Sequence, residues 1–157
     1  MNHPQHIAKH LQDVHFGGNW TWSNLNDVLA DVDWQQATKQ LHDLNTIAKL
    51  TFHIHYFVAA VLSVLEGNPL EAHDKYSFDV PPINSQEDWD KLRTKALKDA
   101  KKAAALIEQL PENKLWDTFV LEKYGNYYRN LNGLIEHTHY HLGQIALIKK
   151  LILAQQQ

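Results

Sequence analysis

Apolar side chains recur at helical spacing in long stretches of the chain. Residues 4–16 carry an apolar residue every three to four positions and stop at Gly17-Gly18, a pair that ends a helix at low cost. Residues 46–66 are apolar on most sides, which is typical of a helix that others surround, and Gly67 follows them directly. We therefore predict a first helix at 4–16 and a core helix at 46–66.

The second half of the chain predicts two further long helices. Ser85 and the acidic residues after it form a helix-start signal, and the helical pattern continues to Leu110, where Pro111 ends it. The last helix is predicted from about Asn126 to Ala154. Between residues 91 and 102 the charges mix both signs, which favours a solvated outer face without a function of its own.

Shorter elements fill the gaps between these helices. Ser23 can cap a short helix over residues 25–29, and a helical turn is predicted around residues 34–37. Residues 70–84 include Pro81-Pro82 and show no sustained period, so we expect a long irregular connection. No stretch alternates as a strand does. The expected fold class is all-α, a four-helix bundle formed by a single domain that spans residues 1–157.

Composition narrows the possible functions. A net charge of −3, from 15 basic and 18 acidic residues, provides no broad positive field for nucleic acid. Because the chain has no cysteine, any thiol chemistry would use the sulfur of another molecule. Residues 1–10 are polar, and His, Lys or Gln interrupt the apolar stretches before they reach membrane-spanning length. We therefore expect a cytoplasmic protein with no nucleic-acid or membrane partner.

Histidine is the unusual residue, with 11 copies. His137 and His141 are one helical turn apart, about 40° apart on one face, so two imidazoles can point at one ion. Burying polar side chains without partners is costly, and a bound metal would remove that cost. His139 lies about 200° around the same helix and is not expected to be a ligand. The face of His137 and His141 also carries Asn130, Leu134, Gln144 and Ile148.

The other long apolar helix carries His53 and His55, which point in different directions, so at most one of them reaches the same ion. The spacing alone does not choose between them. Three neutral nitrogens would leave a tetrahedral ion one open position, which favours a catalytic over a structural metal site. The alternative is a set of core histidines that are hydrogen-bonded to one another without a metal.

Two other features of the sequence remain open to interpretation. Gly133 and Gly143 flank the histidine pair and either permit close approach of a neighbouring helix or are simply tolerated. The early histidines are interpreted as decoration of an exposed helix rather than as a second metal site; they are His3, His6, His10 and His15.

The stretch H-T-H-Y-H-L-G-Q-I at residues 137–145 resembles the signature of the DinB-like (YfiT-like) metalloenzyme superfamily, in which a late helix carries His-x-x-x-His followed closely by Gly-Gln. Residues 22–25 are similar to that family's short helix after the first loop, and residues 46–56 to its second helix. The resemblance implies a four-helix bundle of the DinB type with His53, His137 and His141 as metal ligands. It also implies a divalent ion such as zinc, nickel or manganese, and frequently a homodimer.

Members of that family with assigned activities include bacillithiol transferases and mycothiol-dependent isomerases. The resemblance therefore implies a small-molecule substrate, with a low-molecular-weight thiol as one candidate. Metal-dependent hydrolysis is the alternative within enzymes, and a non-enzymatic dimer that binds a metal or a ligand is the alternative outside them. Four side chains are candidates for orienting ligands or handling protons: Tyr56, His55, Asn130 and Gln144.

Overall fold

The computed structural model describes residues 1–155, and its regular structure is helical, with no β-strand in that part of the chain. Short 3-10 turns lie at Asp74–Tyr76, Glu112–Trp116 and Glu122–Tyr124. The predicted all-α class is therefore confirmed. The α-helices in chain order are α1 (His3–Phe16), α2 (Leu25–Leu29), α3 (Trp34–Thr38), α4 (Ile47–Leu65), α5 (Gln86–Glu108) and α6 (Tyr127–Ala154).

Four long helices form a bundle in which each packs against two neighbours. Helix α1 contacts α5 and α6, and α4 contacts the same two helices, so α1 and α4 are diagonal to each other. The buried hydrophobic cluster includes residues from all six helices. This arrangement puts one face of α4 against α6 and another against α5, so side chains on these two faces have different neighbours.

Polar side chains cap the start of each long helix. Ser85 caps α5 as predicted, and Thr46 and Asn126 cap α4 and α6 by accepting a hydrogen bond from the backbone three positions later. The prediction for the short helix was wrong by one residue, because Asn24 rather than Ser23 caps α2 and accepts from the Asp27 N–H at 2.9 Å. Elements with both an apolar period and a cap residue thus begin where their sequences indicate.

Helix α4 has the length and hydropathy to cross a membrane, which the sequence analysis did not anticipate; among the described residues no other helix does. Its most apolar 18-residue window has a mean hydropathy of 1.5, and 61% of that window is buried inside the bundle. A central helix of a bundle passes the same test, because it must be apolar on most of its surface.

The two glycines beside the histidine pair do not serve close packing. A Cβ atom added at Gly133 or Gly143 would meet no heavy atom of another element within 4 Å. The interpretation that these glycines permit close helix approach is therefore wrong, and glycine is simply tolerated at both positions.

Candidate metal centre

The structure brings His53 of α4 together with His137 and His141 of α6. Their candidate ligand nitrogens all lie within 4.8 Å of one another, and the Nε2 atoms of His53 and His137 are 3.0 Å apart. His53 and His141 are buried and His137 is half-buried. Among residues 1–155 no other group of His, Cys, Asp or Glu residues meets this criterion. The three side chains are therefore close enough to bind one metal ion.

Hydrogen bonds at the outer nitrogens orient two of the three rings. Nδ1 of His53 lies 3.2 Å from the Ser77 carbonyl oxygen, and Nδ1 of His141 lies 2.7 Å from Oε1 of Gln144. Because both partners are acceptors, each Nδ1 carries the hydrogen and each Nε2 keeps its lone pair. An oxygen acceptor behind the imidazole is the usual support of a metal-binding histidine. Gln144, one of the proposed orienting side chains, makes such a contact.

Burial favours the neutral form of two of the three imidazoles, those of His53 and His137. Burial, together with the nearby imidazoles of His141 and His53, lowers the pKa of His137 to about 4. The pKa of His53 is also lowered, mainly by burial and further by His141, against a weaker opposing effect of the Ser77 hydrogen bond. A metal ligand must be a neutral imidazole, so both rings are in the required form near pH 7 without losing a proton.

Aromatic side chains enclose the histidines. Phe78 stacks on His53 with the ring centroids 3.8 Å apart, and Phe57 meets His53 and His137 edge-on at 5.1 and 4.9 Å. Tyr140 packs edge-on against His141. Phe78 belongs to the connection after the Asp74–Tyr76 turn, so this segment covers the centre from one side. The rings limit rotation of the imidazoles and lower the local dielectric.

The three side chains offer a divalent ion three nitrogen ligands. Zinc–nitrogen bonds of about 2.0–2.1 Å put ligand nitrogens roughly 3.3 Å apart, so the observed 3.0 Å between His53 and His137 requires only a small adjustment. Nδ1 of His137 is buried with no hydrogen-bond partner among the described residues, so this ring lacks the acceptor that orients the other two. The His53–His137 hydrogen bond would be the main compensation for burying both rings. The residues present thus suit a divalent cation.

Other candidate residues lie outside this group. His55 pairs with Asp99. Partial burial lowers the pKa of His139, and the charge of His10 lowers it further. Tyr56 is not directed at the histidines, because its hydroxyl donates to the His73 carbonyl at 2.9 Å and accepts from the His73 N–H. Asn130 donates to the carbonyls of Tyr124 and Asn126, and so secures the start of α6.

The interpretation of the early histidines was wrong for His15. Its side chain is 1% exposed, and its Nδ1 lies 2.8 Å from the Leu11 carbonyl oxygen. Burial lowers the pKa of His15 to about 4, although the Leu11 contact opposes that shift. His3, His6 and His10 are exposed as expected. A sequence signal for this burial exists. His15 lies four residues after buried Leu11, on the apolar face of α1.

Sequence analysis also missed Asp99 and Ser77. Asp99 falls within the charged stretch interpreted as a solvated face, yet its side chain is only 13% exposed. Ser77 lies in the irregular connection and supports His53 through its backbone oxygen, which any residue would supply. No sequence signal marks a backbone acceptor of this kind.

Comparisons with protein-family models, with curated proteins and with solved structures found no match to this chain. The three-histidine geometry is consequently the principal support for a function.

Proposed function

We propose that the protein is a cytoplasmic metalloenzyme of the DinB type, in which His53, His137 and His141 hold one divalent ion such as zinc, nickel or manganese. The observation that carries this proposal is the convergence of three imidazoles from two helices, with the rings of His53 and His141 oriented by hydrogen bonds. Three nitrogen ligands leave a position for a small molecule. A closed structural site would need a fourth protein ligand.

A bound ion of this kind lowers the pKa of a water or thiol that reaches it and supplies a nucleophile near neutral pH. The chain's own residues determine access and orientation. Gln144 holds His141, the Ser77 carbonyl holds His53, and the rings of Phe57 and Phe78 exclude water from one side. The half-buried His137 marks the more accessible side of the centre.

We propose a low-molecular-weight thiol as a substrate and group transfer as the reaction. The support is the resemblance of residues 137–145 to the DinB-like signature, together with the absence of cysteine from the chain, which leaves no internal thiol to compete for the ion. Hydrolysis of a small molecule is the second candidate, because the same three ligands suit an activated water. Activity that requires an added thiol would favour transfer, and activity without one would favour hydrolysis.

A homodimer is part of the proposal. Tyr140, Leu147 and Leu151 are exposed and share one face of α6, with spacings of seven and four residues. An exposed apolar stripe of this kind is consistent with an interface between two copies. Light scattering during size-exclusion chromatography should give twice the chain mass of 18.2 kDa, and a Leu147→Glu variant should give the monomer mass.

The decisive experiment measures metal content by inductively coupled plasma mass spectrometry on tag-free protein. We expect close to one divalent ion per chain, and loss of that ion in His53→Ala, His137→Ala and His141→Ala. His139→Ala is the matched control, since it removes an imidazole from the same helix outside the group. A protein that neither contains nor takes up zinc, nickel or manganese would refute the metal site and favour a non-enzymatic bundle. Equal loss in the His139 control would point to nonspecific binding.

A further inference from the structure

A short segment at residues 73–78 contacts helix α4 at two points. At one end of this 73–78 segment, the Ser77 carbonyl oxygen lies 3.2 Å from Nδ1 of His53. At the other end, the backbone of His73 meets the side-chain hydroxyl of Tyr56. The segment is therefore attached to α4 at a proposed metal ligand and again about one helical turn further along.

The Tyr56 hydroxyl makes two hydrogen bonds with one residue. It donates to the His73 carbonyl oxygen at 2.9 Å and accepts from the His73 N–H at 2.8 Å. His73 directly precedes the 3-10 turn Asp74–Tyr76, and its own side chain makes no capping hydrogen bond to that turn. The hydroxyl from α4 consequently fixes where the turn begins.

The turn carries this position on to the carbonyl that supports His53. The Tyr76 N–H donates to the His73 carbonyl oxygen at 3.0 Å. The Ser77 N–H donates to the Asp74 carbonyl oxygen at 2.9 Å. Because these i to i+3 hydrogen bonds hold consecutive residues in one conformation, a displacement of His73 also displaces the Ser77 carbonyl.

Few other interactions hold the 73–78 segment in place. Residues 73–76 and Phe78 are exposed, and Ser77 is the buried residue of the segment. The Ser77 hydroxyl has no hydrogen-bond partner among the described residues, so it does not attach the segment. Within residues 1–155, the hydrogen bonds of the Tyr56 hydroxyl are the only side-chain hydrogen bonds that join residues 73–76 to another element. A segment with so little buried surface opens easily when such bonds are lost.

We infer that Tyr56 is a positioning residue of the metal centre, whose hydroxyl holds the 73–78 segment so that the Ser77 carbonyl orients His53 towards the ion. The stacked ring of Phe78 belongs to the same segment, so loosening the segment removes both supports of the His53 imidazole. Zinc should then bind less tightly, because the orientation of a ligand depends on such outer partners. The inference rests on the proposed function, since it requires His53 to be a metal ligand.

The first test measures zinc affinity of the tag-free full chain against a competing chelator, at a temperature where the zinc-free protein is folded. Tyr56→Phe removes only the hydroxyl and should weaken zinc binding about three- to tenfold, less than loss of a direct partner of a ligand because Tyr56 acts through the segment. Tyr76→Phe is the matched control. It removes a hydroxyl from an exposed ring of the same segment that makes no hydrogen bond within residues 1–155, and it should leave the affinity unchanged.

The second test measures hydrogen–deuterium exchange of the backbone amides of the 73–78 segment in zinc-free protein. Exchange should be several-fold faster in Tyr56→Phe than in the original protein, and unchanged in Tyr76→Phe. Faster exchange with unaltered zinc affinity would mean that Tyr56 only holds the loop, and would overturn the inference. Unaltered exchange in Tyr56→Phe, or an equal loss of affinity in Tyr76→Phe, would also overturn it.

The two tests separate this inference from the function on which it rests. If the original protein and Tyr56→Phe bind zinc equally well, the positioning role is wrong and the three-histidine site stands. If the original protein takes up no zinc, the metal site itself is refuted, and the positioning role is refuted with it.

Discussion

His53 and His55 are two positions apart on one helix, yet the bundle gives them different surroundings. His53 faces α6 and meets two more imidazoles and a backbone carbonyl, with no carboxylate in its ligand group. His55 faces α5, and its Nε2 lies 2.8 Å from the carboxylate of Asp99. The first environment suits a metal ion, and the second is a hydrogen-bonded pair between an imidazole and a carboxylate.

The difference shows that the partners of a buried histidine determine its chemistry. Neighbouring imidazoles disfavour protonation of one another, and their nitrogen lone pairs can coordinate a divalent ion. An imidazole beside a carboxylate already has a hydrogen-bond partner at one ring nitrogen. Five experiments test this contrast, ordered by the size of the effect expected.

The largest effect should be stabilisation by zinc. At a free zinc concentration about 1,000-fold above the dissociation constant, binding adds about 4 kcal/mol, which corresponds to a rise in Tm of about 8–16 °C. Calorimetry should show this increment in the original protein and in His55→Ala, and should not show it in His53→Ala. An increment that disappears in His55→Ala and persists in His53→Ala would reverse the roles of the two histidines.

The pH dependence of stability should reveal His15, a buried histidine with neither an ion site nor a carboxylate. Its pKa falls from an ordinary 6.5 to about 4 in the fold, so the unfolded chain binds more protons between those values. Its stabilising contribution is present above pH 6.5 and is lost as the pH falls towards 4, by about 2 kcal/mol between pH 7 and pH 5.

Urea unfolding of chelator-treated protein at the two pH values measures this effect. His15→Gln retains a donor for the Leu11 carbonyl but does not titrate, so its loss of stability over the same interval should be smaller by that amount. The same slope in both proteins would mean that His15 does not remain neutral in the fold.

Removing the carboxylate from the second pair should cost stability without affecting metal. Asp99→Ala leaves the His55 Nε2 hydrogen without an acceptor in a largely buried position, which should lower the free energy of unfolding by about 1.5–3 kcal/mol. Asp90→Ala removes a carboxylate that is 44% exposed from the same helix and should change that free energy by less than about 0.5 kcal/mol. Zinc content that falls in Asp99→Ala would show that the two regions are not independent.

Loss of the Gln144 support should weaken the metal centre. Gln144→Leu removes the acceptor that orients His141, and zinc affinity measured against a competing chelator should fall about 10- to 100-fold. Asn130→Ala changes another polar residue on α6, one that binds only backbone carbonyls near the helix start, and should leave the affinity unchanged. Identical affinities for the original protein and Gln144→Leu would remove Gln144 from the proposed support.

The smallest effect concerns the glycine between His141 and Gln144. Gly143 is exposed in the interior of α6 with open space around it, so Gly143→Ala should raise the free energy of unfolding by about 0.5–1 kcal/mol. Chemical denaturation measures the gain, and zinc affinity should stay unchanged. A loss of stability or of metal binding would restore a packing role for this glycine.

The sequence by itself determined the helices, because apolar periods and cap residues act over a few neighbouring positions. Thr46, Ser85 and Asn126 each begin a helix within a residue of the predicted position. The pairing of His137 with His141 followed in the same way from the helical repeat. Spacing could not choose between His53 and His55, since either could face α6.

Only the tertiary structure decided which groups surround each histidine. It brings His53 to within 3.0 Å of His137, 84 positions away, and His55 to within 2.8 Å of Asp99, 44 positions away. It also buries His15, which the sequence analysis had interpreted as part of an exposed helix. The physical reason is that the rotation of α4 against α5 and α6 depends on packing of the whole core, whereas helix formation depends on local backbone and side-chain preferences.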